Sequence, residues 1–165
     1  MIPVLIGPPG VGKTYIGQLI QEKLGQFFFD ADLLIDKNER KLIQQGKYEQ
    51  KDRDKFVSKV IKKTSELIGK YKDNIVIAEA FTKEKNREEY KKMFPTIKFI
   101  LVKSPKILSL KRVMKRILSK DHVIDKMSFE VMWDEFESPE VPHSVINNHK
   151  ATDKKIIESY LKARK

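Results

Sequence analysis

The residues with the strongest chemical character stand close to the start of the chain. Residues 7–14 read GPPGVGKT, a glycine-rich turn closed by a lysine and a threonine. The spacing is G-x-x-x-x-G-K-[ST], the Walker A pattern of a phosphate-binding loop. Its glycines let successive backbone N–H groups turn toward an anion with no Cβ in the way. A helix expected from about Lys13 adds its unpaired N–H groups and its positive end. On this reading Gly7, Pro8, Pro9, Gly10, Val11, Gly12, Lys13, Thr14 and Tyr15 cradle a nucleoside triphosphate. Lys13 reaches the β- and γ-phosphates, and the Thr14 hydroxyl holds Mg²⁺.

A second set of charged residues is spaced to complete such a site. Asp30 and Asp32 lie two apart at the end of an expected strand, so an extended backbone puts them on one face. One carboxylate can serve Mg²⁺ while the other orients or deprotonates a hydroxyl. Arg53 is a candidate clamp on an acceptor, and Lys83 and Arg87 are candidates for the same cleft. Arg112 and Arg116 are four apart and share a helix face. Arg116 is assigned to the transferring phosphoryl with Lys13 and Asp32, and Arg112 to the nucleotide, with Lys120 as a less rigid substitute. Glu79 either orients a metal-bound water or starts a helix. His122 reads as a surface or lid histidine, and the three dispersed histidines do not form a metal set. Trp133, Phe129 and Phe136 read as helix packing.

These residues need a scaffold that brings them to one edge. Ile2–Ile6 is an apolar strand with no polar interruption, as a strand buried on both faces requires. Helical spacing follows it up to Gly25. Further strands are expected at Gln26–Phe29, Ile75–Ala78, Ile97–Val102 and Ser144–Ile146. Helices are expected over 33–45, from Asp52 to Gly69, over 83–94, after Ser104-Pro105 and over 151–161. The core face of the Ser104-Pro105 helix would use Ile107, Leu108, Leu110, Val113, Met114 and Ile117. The stretch 120–142 has weak periodicity. Strands alternating with helices predict an α/β three-layer sandwich around a five-stranded parallel sheet. Ligands in such sheets bind beyond the carboxyl ends of the strands.

A chain of 165 residues fits one domain, and no apolar run is long enough to span a bilayer. No basic leader precedes the first apolar run, and cysteine is absent. A cytoplasmic location is therefore expected, with no disulfide and no membrane partner. The formal charge of +11, from 34 Lys+Arg against 23 Asp+Glu, is mostly lysine scattered over expected helix faces. Such a field suits anionic substrates and leaves nucleic acid as a less favoured partner.

With the phosphate loop, Asp30-Ala31-Asp32 and the Arg112/Arg116 segment in view, the chain resembles small P-loop kinases. These include gluconokinases, shikimate kinases and the kinase domains of polynucleotide kinases. The resemblance implies an NMP-kinase-like fold, ATP as phosphoryl donor and Mg²⁺. It also implies one domain over 1–165, with an acceptor-binding segment near 33–66 and a lid near 112–140. Likeness to gluconokinases extends to Asn38-Glu39-Arg40-Lys41-Leu42, Asp52-Arg53, His122-Val123 and Phe136-Glu137-Ser138-Pro139. By resemblance to shikimate kinase, Asp30 lies toward magnesium and Asp32 toward the acceptor. Glu79-Ala80-Phe81-Thr82-Lys83 departs from the gluconokinase pattern after the third strand, as does Val131-Met132 later.

The function expected is transfer of the γ-phosphoryl of ATP to a hydroxyl of a small sugar, sugar acid or related metabolite, by a monomer or homodimer. The alternatives are a nucleoside or polynucleotide 5′-hydroxyl kinase and a non-enzymatic nucleotide-dependent switch.

Overall fold

The computed structural model describes residues 1–118 and 126–164. Its strands are β1 (Ile2–Ile6), β2 (Phe27–Asp30), β3 (Ile75–Ala78), β4 (Ile97–Lys103) and β5 (His143–Asn147). Its helices are α1 (Lys13–Leu24), α2 (Lys37–Gln44), α3 (Gln50–Tyr71), α4 (Glu84–Met93), α5 (Lys106–Leu118), α6 (Lys126–Asp134) and α7 (Asp153–Arg164). The five strands form one sheet in the order β2-β3-β1-β4-β5, and every pairing is parallel. The expected α/β sandwich is what the chain forms.

Alternation along the strands feeds two cores. Val4 and Ile6 of β1, with Ile75, Ile77, Phe99 and Leu101, face α3 and α4 through Phe56, Val57, Val60 and Tyr90. Leu5, Val76, Ala78, Ile100 and Val102 face the other way, toward Ile16 and Ile20 of α1 and Ile156 and Tyr160 of α7. Cover on both faces is why β1 reads as an unbroken apolar run.

Register fixes the site. Leu5 of β1 pairs with Ala78 of β3, and Asp30 of β2 pairs with the same Ala78. Ile6 of β1 pairs with Leu101 of β4. Gly7, Asp30 and Glu79 therefore leave the sheet side by side at its carboxyl edge.

Several local expectations change. After Asp30 the chain does not stay extended: Ala31–Leu34 forms a 3₁₀ turn, and the Asp32 N–H donates to Asp30 Oδ1 at 3.2 Å. The two aspartates are held by a capped turn, not by strand alternation. Glu49, not Asp52, caps α3; Asp52 sits in the first turn and accepts from the Glu49 N–H at 3.0 Å. The helix also runs through Gly69 to Tyr71. In α5, Val113 is buried but Ile107 is 69% exposed, so the expected core face is narrower. Part of the weakly periodic stretch is helix α6. Phe129 and Trp133 pack there at 5.4 Å between ring centroids, as expected of packing residues. Residues Lys120 and His122-Val123 lie outside the described residues, as does part of the expected lid.

Candidate active site

The phosphate loop follows β1 directly. Gly10 and Gly12 have φ of 77° and 104°, a region that side chains rarely occupy. A Cβ on Gly12 would stand 2.1 Å from Asn148 Nδ2, and one on Gly10 would stand 2.5 Å from the Ser109 carbonyl oxygen. Only glycine fits at either place. Gly12 is the N-cap of α1 and makes no side-chain cap, and no acidic residue sits in the first turn. The first N–H groups of α1 thus keep their positive end for an anion.

Lys13 folds over the loop, its Nζ donating to the Gly7 carbonyl at 2.8 Å and the Pro8 carbonyl at 3.2 Å. Burial holds its ammonium below the usual lysine range, against the pull of Asp32, Glu79 and Asp30. The Thr14 hydroxyl donates to Asp30 Oδ2 at 2.7 Å. Tyr15 turns its hydroxyl to Asp153 of α7 and offers a phosphate its backbone N–H alone.

Arg112 is bound into the same loop. It donates to the carbonyls of Val11 at 3.2 Å and Gly10 at 3.4 Å, to Ser104 Oγ at 3.2 Å and to the Asn148 carbonyl at 3.2 Å. Asn148 is 5% exposed and donates from Nδ2 to the Val11 carbonyl at 2.8 Å. Asn148 follows the last strand directly. Its one available signal was position, since it ends a strand at the same sheet edge as the loop. Arg116 is exposed, and its charge acts on Lys13, Asp32 and Arg112.

Beside the loop lies a cavity of about 60 Å³ lined by Asp32, Tyr48, Arg53, Glu79, Thr82 and Asn86, among others. Asp32 is open to solvent along the cleft but crowded by protein elsewhere. Lost hydration and the neighbouring Asp30 raise its carboxyl above the usual range, while Lys13 and Arg116 pull it back. Glu79 is buried. Its Oε1 accepts the Phe81 N–H at 3.1 Å, and its Oε2 has no hydrogen-bond partner among the described residues. Burial, then Asp32, pushes Glu79 up to about 8. Arg53 lies in the cavity wall, ion-paired with Glu135 and 5.6 Å from the centre of the Tyr48 ring. Neither Tyr48 nor Glu135 was singled out from sequence. A larger groove of about 670 Å³ runs past Pro8, Ser104, Trp133 and His143. Its described lining holds no carboxylate and no Lys13, so the chemistry belongs to the smaller cavity.

Two expected cleft residues go elsewhere. Arg87 is fully buried and is not a cleft residue. Its guanidinium donates to Glu84 at 2.5 Å, to the Glu137 carbonyl at 2.9 Å and to the Phe81 carbonyl, and it stacks on Phe136. Phe81 has φ of 43° and is buried against Tyr90 and Phe99. Arg87 thus clamps the strained turn that carries Glu79. Lys83 pairs with Glu137 at 3.2 Å and does not line the cavity.

The Thr14–Asp30 pair suits Mg²⁺, which takes one or two protein oxygens and fills its shell with phosphate and water. Among the described residues no cluster of three or more acidic, histidine or cysteine side chains offers a cage for a metal held by protein alone. No helix among them is long and apolar enough to cross a membrane.

Comparison with known proteins places this geometry. The family model for shikimate kinase matches residues 9–165. A shikimate kinase of Marinomonas sp. is 49% identical over 35 residues, a stretch covering 21% of this chain and 19% of that relative. A gluconokinase from Sinorhizobium meliloti superposes with a TM-score of 0.77 at 17% identity, over 98% of this chain and 90% of that one. A sugar kinase from Janibacter sp. superposes with a TM-score of 0.79 at 20% identity, over 98% and 92% of the two chains. At those identities the superpositions speak for the fold. With the phosphate loop, its acidic partner and a family match over nearly its whole length, the chain belongs to the shikimate kinase family of small P-loop kinases.

Proposed function

We propose that the protein transfers the γ-phosphoryl of ATP to a hydroxyl of a small sugar, sugar acid or related metabolite. The observation that carries this reading is that the phosphate loop, with the Thr14 hydroxyl on Asp30, leaves the same sheet edge as a cavity lined by Asp32 and Glu79. A loop that only bound nucleotide would need no such cavity.

The roles follow from position. Backbone N–H groups of residues 10–15 and the Lys13 ammonium hold the phosphates. Thr14 and Asp30 are the residues to hold Mg²⁺, which would neutralise charge on the β- and γ-oxygens. Asp32 sits at the junction of loop and cavity and orients the acceptor hydroxyl. The acceptor oxygen attacks the γ-phosphorus, its proton passes to Asp32, and the bond to the β–γ bridging oxygen breaks to release ADP. Lys13 and Arg116 stabilise charge on the transferred group. Arg112 and Asn148 hold the loop's shape. Residues 33–66 build the acceptor wall through Tyr48 and Arg53, and residues 112–140 supply the lid.

The test is a panel of sugars, sugar acids, nucleosides and short oligonucleotides with γ-labelled ATP and Mg²⁺. Label should move to a small polyhydroxylated acceptor, and Lys13→Ala should abolish the transfer. Label moving to oligonucleotides alone, or hydrolysis with no acceptor dependence, would refute the assignment.

A further inference from the structure

Two residues of the phosphate loop cannot donate to an anion. Pro8 and Pro9 carry no backbone N–H. Between Pro9 and α1 the cradle therefore rests on the N–H groups of Gly10, Val11 and Gly12. Two of these are set from behind the loop. In a trans peptide the carbonyl and the following N–H point to opposite sides, and no peptide among the described residues is cis. The Gly10 and Val11 carbonyls accept from Arg112 Nη1 at 3.4 Å and 3.2 Å, and the Val11 carbonyl also accepts from Asn148 Nδ2 at 2.8 Å. The Val11 and Gly12 N–H groups are thus turned away from Arg112 and Asn148.

Asn148 is itself held on every side. Its N–H donates to the Lys103 carbonyl at 2.7 Å, and its carbonyl accepts from Arg112 Nη2 at 3.2 Å. Its amide nitrogen fills the space that a side chain on Gly12 would need. The place calls for a small neutral donor. A carboxylate there could only accept, and would face the Val11 carbonyl with nothing to give it.

Resting on the nucleotide half of the reading above, we propose that Asn148 is a positioning residue for the phosphoryl donor. Its amide fixes the Val11–Gly12 peptide, so that the Gly12 N–H faces the phosphates before nucleotide arrives. The side chain touches no phosphate and acts through that peptide alone. Without it the Val11 carbonyl keeps only Arg112 Nη1, which also serves Gly10 and Ser104. The peptide then ends in a glycine with no side chain to restrict its rotation, and binding must order what the amide now holds in place.

The experiment uses Asn148→Leu, which keeps the size of the side chain and the backbone bonds to Lys103 and Arg112 but deletes the donor. Equilibrium dialysis with Mg²⁺ gives Kd for ATP and for inorganic tripolyphosphate. Both should rise by the same factor, about tenfold, because the lost contact acts on the phosphates. In labelled transfer, KM for ATP should rise by that factor, while KM for the acceptor identified by the panel above stays at the parent value. An ATP Kd equal to the parent's overturns the inference. So does a loss shared equally by ATP and acceptor, which would mark a merely structural role. Asn148→Asp is the second variant, since an ionised aspartate cannot donate either; ATP bound as tightly as by the parent in whichever variant folds overturns the proposal. Transfer by the parent chain tests the kinase reading separately: a parent that binds ATP and moves no label removes that reading, while the comparison of Kd values still decides this one.

Discussion

Replacing Arg87 with alanine should damage the fold more than the chemistry. Its guanidinium pairs with Glu84 at 2.5 Å and donates to the Glu137 carbonyl at 2.9 Å and to the Phe81 carbonyl, all with no exposure of its own. Removing one member of a buried ion pair costs about 3–5 kcal/mol, since it strands the other. Each carbonyl left dry contributes about 1–3 kcal/mol within that loss. Glu84 retains the Val141 N–H at 2.7 Å, which keeps the total toward the lower end. For a domain of this size about 1 kcal/mol moves Tm by about 2–4 °C, so Arg87→Ala should melt about 6–20 °C below the parent. Urea unfolding at pH 7 followed by far-UV circular dichroism gives the free energy directly. Lys83→Ala is the control. Its half-exposed pair with Glu137 should be worth under about 1 kcal/mol. An Arg87→Ala chain as stable as the parent within about 1 kcal/mol, yet devoid of transfer, would refute the clamp and return Arg87 to the substrate.

The loop and its metal partners make sharper demands on activity. Lys13→Ala should lower kcat by about 10²-fold or more with the helical signal unchanged, measured by labelled-phosphate transfer. Asp30→Ala should raise the Mg²⁺ concentration for half-maximal transfer about tenfold or more, because it removes the carboxylate beside Thr14. Glu79 predicts a pH dependence of stability. Its folded value near 8 lies above the ordinary 4.5, so between those values the folded chain holds a proton the unfolded chain has lost. Stability from this group is therefore full below about 4.5 and falls as pH rises through about 8. Glu79→Gln should flatten the fall of Tm across that window; an unaltered slope would contradict the assignment. Gly12→Ala should abolish ATP retention in equilibrium dialysis, because its Cβ would meet Asn148 Nδ2 at 2.1 Å.

Local signals carried the architecture. Apolar runs, unbroken in β1 and β3 and interrupted by Lys98 in β4, marked those strands, and Gly25 marked the end of α1 at an αL position. The loop motif placed Lys13 and Thr14, and the strand before Asp30 placed its carboxylate beside Thr14. What escaped depends on partners far along the chain. Arg87 looked like a cleft cation because nothing near it in sequence announces the Glu137 carbonyl 50 residues away. Asn148 meets Val11 across 137 residues. The pairing of Arg53 with Glu135 spans 82 residues. Helix α6 hid because it is nine residues long and buries only Ser128 and Phe129, too little for a clear stripe.

The loop strand β1 sits in the middle of the sheet, between β3 and β4. The phosphate loop is thus anchored to a strand with neighbours on both edges and helices on both faces. The wall of the smaller cavity takes Ile43 from α2, Arg53 from α3 and Met132 from α6 beside Glu79 at the sheet edge. Substitutions in those helices can therefore reshape the cavity without touching the strand that carries the loop.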